Sequence, residues 1–343
     1  FTVKYDKTAP TVAVTPDGTY TNSSPITFTI TFSESVTGLD VAEITVTNGT
    51  KGTLSGSGAD YTLPVTPTAD GAVTCLVTAG AAQDVAANNN TVSNTASVTY
   101  DATAPASFTL YSPTGWTTDQ TPDVVLSFSE ATGGVDVSTV EYAYSTIGSA
   151  TPTNWAAVSG VYTDSGCTTA ATDGATGTLY AKILGVAFNQ DSATQNTIRI
   201  RASDMATNQG TQAAASAIQI DSATPNIVAV DAGASSADRT SLTSGTWFNY
   251  AATGSDDTIS FSWTDPSSVS DDTFYYELNA TATDTIDGSE STVTTAYKDS
   301  VSITEGTSYF HVKPKTGAGT WGTERIFTVK YDKTAPTVAV TPD

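Results

Sequence analysis

The chain is poor in most of the residues from which protein sites are commonly built. It has one histidine and two cysteines in 343 residues. A zinc site of the usual His/Cys kind therefore lacks ligands. A Ser/His/Asp triad would have to use His311, which lies in an alternating strand pattern with no nucleophile elbow beside it. Cys75 and Cys167 lie far apart, and the run Val73 to Val77 puts Val73, Cys75 and Val77 on one face. Cys75 is expected to be a buried small apolar residue, not half of a bridge. Basic residues are scarce: 13 Lys plus Arg against 35 Asp plus Glu, a formal net charge of −22. That balance excludes nucleic acid and anionic membranes as partners. No apolar run approaches the ~18 residues of a membrane span, so no direct membrane insertion is expected. No secretory leader pattern appears, and helical periodicity never extends beyond about two turns. The acid pairs Asp256–Asp257 and Asp271–Asp272 imitate glycosidase carboxylates only in composition, because neighbours on a strand face opposite ways. Together these absences argue against an enzyme.

What is present is strand and turn material. Hydrophobic residues make up 38% of the chain, enough for ordinary cores. They come in short alternating runs rich in Val, Thr, Tyr and Phe, bounded by Gly, Pro, Asn and Asp. Such runs include Ile26 to Phe32, Ala72 to Thr78 and Ala96 to Tyr100, then Val124 to Phe128, Val140 to Tyr144 and Ile198 to Ala202, and finally Ile259 to Trp263, Tyr309 to Lys313 and Ile326 to Tyr331. Strands at this spacing without intervening helices predict an all-β chain of antiparallel sandwiches.

Internal repeats organise it. Residues 1–17 and 327–343 carry the same seventeen letters, FTVKYDKTAPTVAVTPD, an offset of 326. The chain is therefore expected to be a window on a longer array, one period plus the start of the next. A shorter mark recurs inside the period, at Asp6, Asp101, Asp221 and Asp332, each followed four residues later by proline. These aspartates are 95, 120 and 111 residues apart, each about the length of one sandwich domain. Each proline fixes φ and biases its predecessor towards extended backbone, so the mark reads as a short, stiff linker. The predicted organisation is a last strand in residues 1–6, domains at 7–101, 102–221 and 222–332, and the start of the next repeat at 333–343.

These residues resemble the tandem immunoglobulin-like repeats of large bacterial surface adhesins and extracellular fibre proteins. Asp-x-Thr-Ala-Pro stands at three of the four marks and is loosened at Asp221. Phe32-Ser33-Glu34 and the stretch Ile44 to Gly49 add to the likeness. So do the loops Asp84 to Asn88 and Asp204 to Asn208, with Ala87 and Thr207 where that family usually has glycine. The third domain, through Thr304 to Val312, is similar to the fibronectin-type variant. The resemblance implies sandwiches arranged end to end, outside the cell or on its surface.

Placed on such a sandwich, each linker aspartate meets two loops of the domain that follows it, one after the second strand and one before the last. For Asp6 those loops offer Glu34 and Asp84 with Asn88; for Asp101 they offer Glu130 and Asp204 with Asn208. Three carboxylates and an amide oxygen from three segments suit Ca2+, a hard cation that takes about 6–8 oxygen ligands. The family resemblance points the same way; the competing reading is solvated loop acids. At Asp221 the matching loops offer Asp265 but then Lys315 to Thr320, with no acid, so a metal is not expected there. Trp263 falls in a strand run and is expected in the core. Trp116, Trp155, Trp247 and Trp321 sit near turns but are scattered over two domains, which weakens a glycan-binding reading. The expected role is a rigid extracellular stalk or filament, stiffened by calcium, whose partners are neighbouring repeats, with identical chains in a fibre as the further candidate.

Overall fold

A computed structural model describes residues 5–190, 195–249, 257–264, 272–334 and 336–339. Within them the regular structure is strand apart from one short 3-10 turn at Val41–Glu43. Three separate hydrophobic cores form along the sequence. One runs from Val12 to Val98, the next from Val124 to Ile220 and the last from Ile227 to Tyr331.

The first sandwich packs two four-stranded sheets face to face. Val12–Thr15, Ile26–Val36, Ser55–Pro67 and Gly49–Lys51 form one. Thr19–Thr21, Ala96–Tyr100, Gly71–Val77 and Ile44–Thr47 form the other. Burial along Ile26–Val36 alternates strictly for its first eight residues, so Ile26, Phe28, Ile30 and Phe32 point inwards and the threonines point out. Cys75 sits on the inner face of its strand, fully buried, and both cysteines are free thiols. Desolvation raises the Cys75 pKa to about 11, as expected of an inert core thiol.

The second sandwich corrects the sequence reading at one place. Val124 to Phe128 and Val140 to Tyr144 belong to a single 22-residue strand, Val124–Ser145. Its first part pairs with Ala175–Ile183 and its last part with Thr197–Asp204. Irregularities between Glu130 and Val135 and between Asp136 and Glu141 bend it from one layer to the other. Gly and Asp in residues 131–136 conceal this continuity in the sequence.

The third sandwich has a three-stranded sheet (Val230–Gly233, Thr258–Trp263, Tyr297–Ser302) and a five-stranded one centred on Gly306–Lys315. Its first strand begins at Val230, not at Asn226, which makes only an isolated bridge to Thr323. Trp263 is buried against Phe274 and Phe310, as its strand position predicts.

One topological detail recurs and positions the candidate site. In each sandwich a short early strand pairs in parallel with the last one: Thr19–Thr21 with Ala96–Tyr100, Trp116–Thr117 with Gln219–Ile220, and Trp247–Asn249 with Arg325–Asp332. The ladder then captures the linker aspartate itself. Asp101 N–H donates to Thr21 O, and Asp221 N–H to Thr117 O, both at 2.9 Å.

Candidate metal centres at the linkers

Asp101 leaves the ladder with its backbone direction already fixed, and its side chain turns into the second sandwich. Glu130 comes from the long strand at the residue where pairing breaks before Val135. A bulge at this point re-aims a side chain that regular alternation would direct elsewhere. Asp204 ends the strand Thr197–Asp204 directly opposite Val135. One carboxylate oxygen from each lies within 4.8 Å of the other two. Asp101, Glu130 and Asp204 are 0%, 3% and 1% exposed, so the cluster is closed off from bulk water.

Backbone donors hold the three acids in place. Asp101 Oδ1 accepts Thr103 N–H at 2.8 Å, and its Oδ2 accepts Gly133 N–H at 2.5 Å. Glu130 Oε1 accepts Thr132 N–H at 2.9 Å and shares Gly133 N–H at 3.2 Å. A Cβ at Gly133 would run into the Asp101 carboxylate, so glycine is required there by close approach. Burial raises the Asp101 and Glu130 carboxyls above the ordinary range despite these bonds, and the charge of Asp204 adds to the rise in both.

The same construction recurs at Asp6, more openly. Asp6, Glu34 and Asp84 again bring one oxygen each within 4.8 Å, with Asp6 exposed, Glu34 half-buried and Asp84 buried. Glu34 lies in the register break between Thr31 and Val36, as Glu130 does in its own strand. Asp6 Oδ1 accepts Thr8 N–H at 2.8 Å, matching Asp101 and Thr103. Asp84 lies below the ordinary carboxylate range, chiefly through the Asn88 side-chain hydrogen bond.

The two asparagines stand differently from the sequence expectation. Asn88 Nδ2 donates to Asp84 Oδ2 at 2.8 Å and to Asp6 O at 3.3 Å. Asn208 Nδ2 donates to Asp204 Oδ2 at 2.7 Å and to Asp101 O at 2.8 Å. Each amide turns its nitrogen towards the acids, and the Asn208 oxygen accepts from Asn22 of the first sandwich at 3.0 Å. They brace the loop instead of offering it an oxygen ligand. The loops are superimposable in their bonding: Asp84 N–H donates to Asn88 O at 3.2 Å, and Asp204 N–H to Asn208 O at 3.1 Å. Ala87 and Thr207 carry φ of 64° and 72°, the left-handed region that favours glycine.

Among the described residues no such triad forms at the third joint. Asp265 lies outside the described residues. The loop before the last strand keeps the turn but changes its chemistry. Thr316 N–H donates to Thr320 O at 3.0 Å, with Gly319 at φ 88° and Thr316 where Asp84 and Asp204 stand. Asp221 is fully buried, and its Oδ1 accepts Gln190 Nε2–H at 2.6 Å. Sequence reasoning missed Gln190, which sits far from any mark.

His311 is fully buried, with Nδ1 against Glu324 Oε1 at 2.6 Å and Nε2 against Thr281 O at 3.1 Å. Those contacts occupy both ring nitrogens in a structural role. The tryptophans hold separate places: Trp155 lies under Arg199 and Arg201, Trp321 beside Tyr275 and Lys315, and Trp247 is 60% exposed. Asp256 and Asp271 lie outside the described residues. No described helix is long and apolar enough to cross a membrane.

The described residues thus form an all-β protein of β-sheets packed around three separate cores. Residues 6–100 match the family of bacterial Ig-like domains, so the first sandwich carries that family's signature. A search of curated proteins finds no match. Among solved structures, Yersinia pseudotuberculosis InvD is similar at 15% identity over 93% of this chain and 97% of that one, with a TM-score of 0.39. The fibronectin(III)-like modules of Clostridium thermocellum CbhA are similar at 12% identity, covering 68% of this chain and 100% of theirs, with a TM-score of 0.31. A marsupial T cell receptor is similar at 9% identity over 94% of this chain and 99% of its own, with a TM-score of 0.35.

Proposed function

We propose that this chain is a structural segment of an extracellular stalk or filament, in which Ca2+ bound at Asp6 and Asp101 locks each sandwich to what precedes it. The observation that carries this reading is the buried triad of Asp101, Glu130 and Asp204, whose oxygens lie within 4.8 Å of one another. Burial, with a smaller addition from the neighbouring like charges, raises the Asp101 and Glu130 carboxyls, so three charges held that close are unfavourable. A divalent cation removes the repulsion, and an all-oxygen donor set favours calcium over softer metals. Asp101 belongs to the linker, whereas Glu130 and Asp204 belong to the second sandwich. A cation shared among them would fix the short linker to the second sandwich. The mechanism is mechanical, and the 326-residue period supplies identical surfaces at fixed spacing for a fibre.

The test is small-angle scattering on the whole chain in saturating calcium and then in chelator. A long, narrow particle that becomes shorter and more variable on chelation supports the reading, and Asp101→Ala should behave in calcium as the parent does in chelator. An unchanged profile would remove calcium from the account.

A further inference from the structure

The linkers are also gripped from behind. Asp70, one residue before the strand Gly71–Val77, accepts Ala102 N–H at Oδ1 (2.9 Å) and the Thr103 hydroxyl at Oδ2 (2.6 Å). Glu305 holds the same place before Gly306–Lys315 and accepts the Thr334 hydroxyl. A glycine at positive φ follows each acid, Gly71 at 129° and Gly306 at 122°. Thr103 and Thr334 both stand two residues after a linker aspartate. Each closes its N–H on that aspartate, at 2.8 and 2.9 Å, and sends its hydroxyl back to the preceding sandwich. The threonine of the mark therefore ties the linker back to the sandwich it leaves.

In the second sandwich the loop leading to the strand Thr197–Asp204 supplies Gln190 instead. Its Oε1 accepts Ser222 N–H at 2.7 Å and the Ser222 hydroxyl at 2.9 Å, while Nε2–H donates to Asp221 Oδ1. Ala223 occupies the place of the threonine here, and the hydroxyl has moved one residue earlier.

We infer that each sandwich holds its outgoing linker through one side chain of this loop, Asp70, Gln190 or Glu305, and that at Asp221 the uncharged Gln190 amide replaces a cation, so this joint stays closed without metal. An amide offers donor and acceptor together, so one side chain grips both the carboxylate and the following residue. A carboxylate only accepts, so Asp70 and Glu305 hold the linker but leave its aspartate to other partners. At Asp221 the charge-assisted bond from Nε2–H satisfies Oδ1, while Oδ2 is buried with no hydrogen bond among the described residues.

Amide hydrogen exchange on the whole chain, in excess calcium and in excess chelator, tests this. Ser222 N–H should be equally protected in both. Gln190→Met keeps the volume and removes both bonds, so Ser222 should exchange about tenfold faster in either solution. Gln190→Glu sets a second carboxylate against Asp221 and should exchange faster still at neutral pH. At the other joint, Asp70→Ala or Thr103→Val should speed Ala102 exchange severalfold with calcium present. Protection at Ser222 that vanishes from the parent on chelation would overturn the inference. So would Gln190→Met leaving the Ser222 rate unchanged. Failure of the calcium reading looks different, since chelation would then leave the Asp101 joint unmoved while the Gln190 variants still report.

Discussion

The joints at Asp101 and Asp221 begin alike and end on different chemistry. Each aspartate is captured by the same parallel ladder at 2.9 Å, and each is fully buried. At Asp101 the buried carboxylate meets Glu130 and Asp204, an arrangement that burial and like charge make unfavourable. At Asp221 the turn that carries Asp204 in the second sandwich carries Thr316, and Gln190 supplies a neutral donor. The comparison teaches that one backbone scaffold accommodates either a cluster of buried carboxylates or a carboxylate gripped by a neutral amide. The choice rests on a few positions within an unchanged fold.

Calcium removal should break the symmetry between these joints most strongly. With calcium at a hundred to a thousand times its dissociation constant, chelation is expected to cost the second sandwich about 3–4 kcal/mol. The third sandwich should not respond. Calorimetry resolves the transitions, and a third transition moving equally would erase the distinction. Gly133→Ala comes next. Its Cβ displaces the Asp101 carboxylate, so stability in calcium should fall by about 2 kcal/mol and calcium affinity by about tenfold. Normal calcium titration of this variant would show that Asp101 is not a ligand.

Acidity sharpens a second contrast, between the first and second sandwiches in chelator. Asp101 and Glu130 have carboxyls raised above their unfolded values, so folding favours their protonated forms. The second sandwich should gain stability as pH falls through those raised values, a gain complete below the unfolded ones. Asp84 is lowered, so its contribution is present above the unfolded value and lost as pH falls through the folded one. The second sandwich should therefore gain stability in mildly acidic solution, where the first holds steady, and the first should lose stability only in more acidic solution, below the ordinary aspartate value. A second sandwich that loses stability in the mildly acidic range would refute this pairing. The smallest effect concerns the loops themselves: Ala87→Gly and Thr207→Gly should each stabilise by about 0.5–1 kcal/mol, because glycine removes left-handed strain larger than the entropy it costs. Chemical denaturation measures this directly, and a loss would show that the side chains contribute more than their backbone strain costs.

Much of this was legible in the chain because sandwiches advertise themselves locally. Ile44–Thr47 and Ala96–Tyr100 begin and end where their alternation predicts. The carboxylate sets were legible for a different reason: linker and loops repeat at matched positions, so Asp6 with Glu34 and Asp84 implied Asp101 with Glu130 and Asp204. Three things were not legible. The continuity of Val124–Ser145 runs through bulged residues without periodicity. The orientation of Asn88 and Asn208 depends on which neighbours accept a hydrogen bond, and only their arrangement in space decides that. Gln190 and Asp70 carry no motif, since any polar loop residue has the same letters.

By itself the sequence determined the all-β class, the linkers and the pairing of each linker aspartate with particular loop acids. Alternation and repeats are properties of the chain read in order. The tertiary structure alone decided which of those carboxylates are shut away from water, which amides brace them and which side chain grips the linker from the preceding sandwich. Those outcomes rest on desolvation and on distances between residues far apart in the chain, as Asn208 and Asp101 are at 107 positions. Such terms exist only once the sheets have closed around them.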